Sequence, residues 1–78
     1  MKTLREQAIA QMVIAKLSEN RRTSGQTIDV AVNEGDVMLL GWCDSEDQRL
    51  IAAEITAGTY GVRSVIDKVR VRCIAPSI

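Results

Sequence analysis

Two runs of alternating apolar residues meet at Asn33-Glu34-Gly35-Asp36, and this junction constrains the fold more than any other stretch. In TIDVAVN (27–33), Ile28, Val30 and Val32 alternate with Asp29, Ala31 and Asn33, the two-residue period of a half-buried strand. Gly35 is free to take the positive φ that tight hairpin loops require. The segment GDVMLLGWC (35–43) is therefore the returning strand of a β-hairpin. That strand has an anomaly. Apart from Gly41 everything from Val37 to Cys43 is apolar, although a strand in a small two-layer domain has one dry and one wet face. If Val37, Leu39, Gly41 and Cys43 point at the helices, Met38, Leu40 and Trp42 must point at the open side of the sheet.

Helices flank this hairpin in the sequence. From Leu4 to about Glu19, Ile9, Val13 and Leu17 recur every fourth residue with Met12 beside them, one apolar stripe from which Ile14 is excluded. SENRRTSGQ is a polar loop carrying Ser24-Gly25. After the hairpin, Asp44 or Ser45 caps a second helix. Ser45 with Gln48 fits a capping box, and Glu46 and Asp47 suit the positive end of the dipole. Ala52, Ile55, Thr56 and Thr59 share one face of it, flanked by Ile51, and Gly58 and Gly61 bracket its end. A third strand is predicted from about Arg63 to Cys73, with Val65, Val69, Val71 and Cys73 on one parity against Ile66, Lys68, Arg70 and Arg72, and Pro76 closes the pattern. The order α-β-β-α-β gives an α+β fold, a three-stranded mixed sheet with two helices packed on one face. The whole chain, 1–78, reads as a single domain without repeat or linker.

Composition excludes several function classes. Ten basic and ten acidic residues cancel, so no global field draws the chain to nucleic acid or to an anionic membrane. Histidine is absent, which removes the commonest general base and metal ligand. Two cysteines without histidine partners close no zinc site. No metal, cofactor or catalytic residue is expected. No nucleophile–base pair or phosphate loop appears, and the chain does not read as an enzyme. MKTLREQAIAQMVIAKL begins like a signal peptide, but Gln11 and Lys16 interrupt it and no small-residue cleavage site follows. As written, the chain is expected to be cytoplasmic.

The residues TIDVAVNEGDVMLLGWCDSEDQR and AAEITAGTYGVRSVIDKVRV resemble a BON domain, the small bacterial module named for osmotic-stress and nodulation proteins. The positions that carry the resemblance are Val37, Leu39, Gly41, Arg49, Ala52, Ile55, Gly61, Val62, Val65 and Val71, and it spans about residues 5–73. Cys43 stands where the family has a branched aliphatic, and Thr56 and Thr59 where it has Ala and Val. The resemblance implies a non-catalytic module of bacterial envelope or stress proteins that binds membranes or partners. It implies the same element order as the periodicity. Two glycines have physical readings of their own. Gly41 is expected to let a helix pass close above the sheet, and Gly61 to end the second helix in a conformation other residues resist.

The candidate interaction surface follows from parity. Met38, Leu40 and Trp42 make an apolar stripe on the open face, with Asp29, Ala31 and Asn33 to one side and Lys68, Arg70 and Arg72 to the other. Three large apolar side chains can expose a few hundred Å², the size at which patches mark binding sites. A protein partner, self-association or an anionic phospholipid surface are the readings of this face, set against a plain one in which Lys and Arg stems cover the stripe. Assembly of a larger protein or homo-oligomer is the structural alternative to a binding module. Gly58-Thr-Tyr-Gly61 has the form of a KH-type nucleic-acid loop, but here it joins a helix to a strand, and Trp42 and Tyr60 alone make no base-stacking platform. Cys43 and Cys73 read as buried, reduced thiols packed as small hydrophobes. Asp44, Glu46 and Asp47 read as helix caps rather than as paired catalytic carboxylates.

Overall fold

The computed structural model describes residues 3–72. Cys73 and Pro76 lie outside the described residues. The elements are α1 (Leu4–Glu19), β1 (Thr27–Asn33), β2 (Asp36–Cys43), α2 (Glu46–Ala57) and β3 (Ser64–Val71), the α-β-β-α-β order expected. β2 is central, antiparallel to β1 and parallel to β3, so the sheet is mixed, with order β1-β2-β3.

Each element starts where local chemistry allows. Thr3 caps α1. Its hydroxyl accepts the Glu6 N–H at 3.1 Å while the Glu6 carboxylate accepts the Thr3 N–H at 2.9 Å, a reciprocal box that satisfies two otherwise orphaned donors. Ser45 and Gln48 do the same for α2, and Gln48 Oε1 also accepts from the Asp44 N–H. In the hairpin, Glu34 (φ 53°) and Gly35 (φ 88°) are both left-handed, the two-residue turn whose twist matches the paired strands. Thr23, in the polar loop after α1, is buried, and its hydroxyl donates to the Leu17 carbonyl at 2.6 Å, anchoring the loop to the end of the helix.

The core lies between the sheet and the two helices. Ile9, Val13 and Leu17 of α1 meet Val32, Val37, Leu39, Cys43 and Val69 of the sheet and Ala52 of α2. Burial of a Val or Leu contributes about 1.5–3 kcal/mol, and Val13, Val32, Val37 and Leu39 are completely covered. Ile14 is on the surface as expected, and Met12, read as part of the stripe, is exposed as well. Thr56 and Thr59 are buried as the shared face requires, and their hydroxyls donate back to the Ala52 and Ile55 carbonyls, so neither brings an unpaired group into the core.

Two glycine readings change. Gly41 does face the core side, but the close approach is to β1 and not to a helix: a Cβ there would sit 2.0 Å from the Thr27 carbonyl oxygen, and φ is +117°. Gly61 has the positive φ expected (+93°), yet it lies in the turn before β3. The helix itself ends at Ala57 with Gly58 as its cap in right-handed geometry. β3 also carries a residue that periodicity passed over. Asp67 shares the helix-facing parity of Val65 and Val69, where its carboxylate accepts the Arg49 guanidinium of α2 at 2.7 Å and the Val69 N–H at 3.0 Å.

Candidate functional site

The strand register places the predicted surface residues in rows across the open face. Leu40 pairs with Asp29 on one side and Lys68 on the other. Met38 lies between Ala31 and Ile66, and Trp42 between Thr27 and Arg70. Because β2 is the middle strand, its apolar side chains form the spine of the face. Met38 is half-buried, Leu40 is 37% exposed and Trp42 44% exposed. The alternating burial of β2, with Val37, Leu39 and Cys43 covered, fixes this assignment of faces.

The basic ladder divides in two. Arg70 lies over the Trp42 ring, its guanidinium carbon 5.9 Å from the centroid, a cation–π contact worth about 0.5–1 kcal/mol at an exposed site. Lys68 is exposed beside Leu40. Arg72 lies past the end of β3. Its N–H donates to the Cys43 carbonyl at 2.7 Å and its guanidinium contacts Asp44 at 3.3 Å, so it braces the start of α2 more than it serves the face. Ile66, 40% exposed, extends the apolar patch next to Met38. Its parity already placed it on this side, and it is the member of the surface that attention to the charged ladder overlooked. Asp29 is the acidic charge on the β1 flank. Among the described residues neither Asp29 nor Lys68 makes an intramolecular ion pair, whereas Arg22, Arg49, Arg63 and Arg72 are each paired.

Elsewhere the charged groups serve the fold. Asp36 accepts from Arg63 at 2.8 Å and from Ser64 at 2.6 Å, and these hydrogen bonds hold its carboxyl below the usual carboxylate range. Glu46 is lowered likewise by its bond to Arg49. Glu46 lies in the first turn of α2, which matches its reading as a helix-start residue. Cys43 is completely buried and burial pushes its thiol up, which keeps it protonated and unreactive. Among the described residues no three His, Cys, Asp or Glu side chains are grouped to hold a metal ion, and no helix is long and apolar enough to cross a membrane.

A cleft of about 560 Å³, not anticipated from the sequence, lies between the N-terminus of α1 and the hairpin turn, lined in part by Arg5, Glu6, Ile9, Glu34 and Arg63. Its carboxylate Glu6 already accepts the Glu34 N–H at 2.7 Å and the Thr3 N–H, and Arg63 is committed to Asp36. This cleft ties α1 to the turn. No curated protein matches the sequence. A model of the BON domain matches residues 5–73, nearly the whole chain, and the chain therefore belongs to the BON domain family, a family of binding modules.

Proposed function

We propose that residues 1–78 act as one BON-type module that works by binding, and that the open sheet face is its contact surface for a protein partner. The observation that carries this reading is the partly exposed Trp42, held in place by Arg70 and continued along the sheet by Leu40, Met38 and Ile66. An aromatic anchor fixed before binding loses little entropy on contact, and Trp, Met and Arg are the residues enriched at interfaces. The flanks give the patch polarity, acidic at β1 and basic at β3. The test is photo-crosslinking in extract from a reactive amino acid at position 40, with Leu50 as control, an equally apolar residue that is 49% exposed on α2. Protein adducts from position 40 and none from position 50 support the reading; equal yields from both refute it.

A second reading has its own support. Lys68 and Arg70 stand beside Trp42, the combination that suits an anionic phospholipid surface, each near-surface charge contributing about 1 kcal/mol. Asp29, on the same face, opposes it. Co-sedimentation with phosphatidylglycerol vesicles, compared with phosphatidylcholine vesicles, separates a membrane from a protein as the occupant.

A further inference from the structure

Resting on the reading of the open face as a contact surface, we infer that its occupant is a second copy of this chain, packed face to face about a two-fold axis parallel to β2. A face-to-face pair has its two-fold axis in the plane between the sheets, and two limiting directions exist for it. Run along β2, the axis lays Leu40 over Leu40 and brings β1 of each copy over β3 of the other. Asp29 then meets Lys68 of the second copy, twice per dimer, because both residues lie in the Leu40 row. In the adjacent row the small Ala31 receives the large Ile66 of the second copy. Charge and shape are therefore matched by the same operation. Run across the strands through the Leu40 row, the axis would set Asp29 over Asp29 and Lys68 over Lys68, like charges that repel.

The two charges are also available for this. Both are exposed, and neither has an ion pair among the described residues. The size of the face sets the strength. Three strands spaced by about 4.8 Å and eight residues rising about 3.3 Å each make a footprint on the order of 350 Å². That is less than half of the ~800 Å² per partner of a standard interface. The dimer is thus weak and concentration-dependent.

Sedimentation equilibrium over a wide concentration range tests the inference, with the fold of each variant checked by circular dichroism. Asp29→Lys and Lys68→Asp should each weaken self-association about tenfold or more, since each sets like charges together. The double variant, D29K with K68D, should recover most of the loss. Cysteine crosslinking with a short bismaleimide, in a Cys73→Ser background, reads the axis directly. A mixture of Asp29→Cys and Lys68→Cys proteins should crosslink, and neither alone should. Three outcomes overturn the inference: a parent that stays monomeric throughout, single charge variants that associate like the parent, or single-cysteine proteins that crosslink to themselves. A monomeric parent that still yields protein adducts from position 40 sinks the dimer alone. A monomeric parent without such adducts sinks the contact surface as well.

Discussion

Arg49 on α2 and Asp67 on β3 are joined on the helix-facing side of the sheet, guanidinium to carboxylate at 2.7 Å, with both side chains largely covered. The bond ties α2 to the strand that follows it in the chain, and Arg49 contacts Glu46 of its own helix at the same time. Partly buried, charge-assisted bonds lose more when broken than exposed ones do, because the remaining partner is left desolvated.

Asp67→Asn should therefore lower the urea midpoint clearly more than Glu46→Gln. Asp67 holds a neighbouring element and a backbone amide, whereas Glu46 is exposed and makes only a local pair. Equilibrium unfolding followed by circular dichroism measures both, and equal shifts would count against the tie.

Gly41→Ala should cost about 2–4 kcal/mol, since the new methyl meets the Thr27 carbonyl and the backbone stays left-handed. Gly25→Ala provides the contrast. That residue has positive φ but nothing within 4 Å of its Cβ position, so only the conformational cost of about 1–2 kcal/mol remains. Thermal unfolding of the two variants should rank them in that order.

Leu40→Lys should leave stability within ~0.5 kcal/mol of the parent, as surface substitutions do, while removing crosslinking and self-association from the open face. Trp42 emission in the parent should be that of a partly hydrated indole and shift to the blue on association. If Leu40→Lys unfolds the protein, this face belongs to a core. For vesicles, replacing Lys68 and Arg70 by Gln should abolish binding to anionic lipid, and Arg72→Gln alone should change it little, because Arg72 is engaged with Asp44.

Acid sensitivity should come from Asp36 and Glu46. Both carboxyls titrate lower in the fold than in the unfolded chain, so their stabilisation is present above the unfolded values and is lost as pH falls through the folded ones. Stability should hold near neutrality and decline below about pH 4, and Asp36→Asn should flatten that decline. Cys43 acts at the other end. Its thiol titrates above the usual 9.0, so the unfolded chain ionises first and stability falls as pH rises from there through the folded value. At neutral pH, Cys43 should react with a thiol reagent only after denaturant is added.

Much of this was legible because it depends on period and local chemistry. The four-residue recurrence of Ile9, Val13 and Leu17 placed the helical core residues, and the two-residue period of a strand put Trp42 on the face opposite Val37, Leu39 and Cys43. The capping box of Thr3 and Glu6 is written in the sequence as Thr-x-x-Glu and went unread. Strand order was not legible, since the same alternation suits β1 or β2 as the middle strand. The reason for Gly41 depended on that order, because its close neighbour is the backbone of β1. Asp67 was passed over because a charge at a helix-facing position makes sense only once Arg49 is seen above it. The site was legible as a set of side chains on one face. Which of them stand opposite one another, Asp29 with Lys68 across Leu40 and Ile66 with Ala31 across Met38, required the register.

The hold of Asp67 on the Val69 N–H has a consequence for solubility. The amides of Ser64 at the start of β3 and of Arg72 just past its end donate toward the β2 side, so the residues of the other parity, Val69 among them, turn their amides to the outer edge of the sheet. An open edge of this kind is a template on which another strand can grow. Here the Val69 donor is already taken by the chain's own carboxylate, itself paired with Arg49, and an incoming strand would find no free N–H at that position. Asp67→Ala would uncover that donor and make the edge a more continuous template for a further strand.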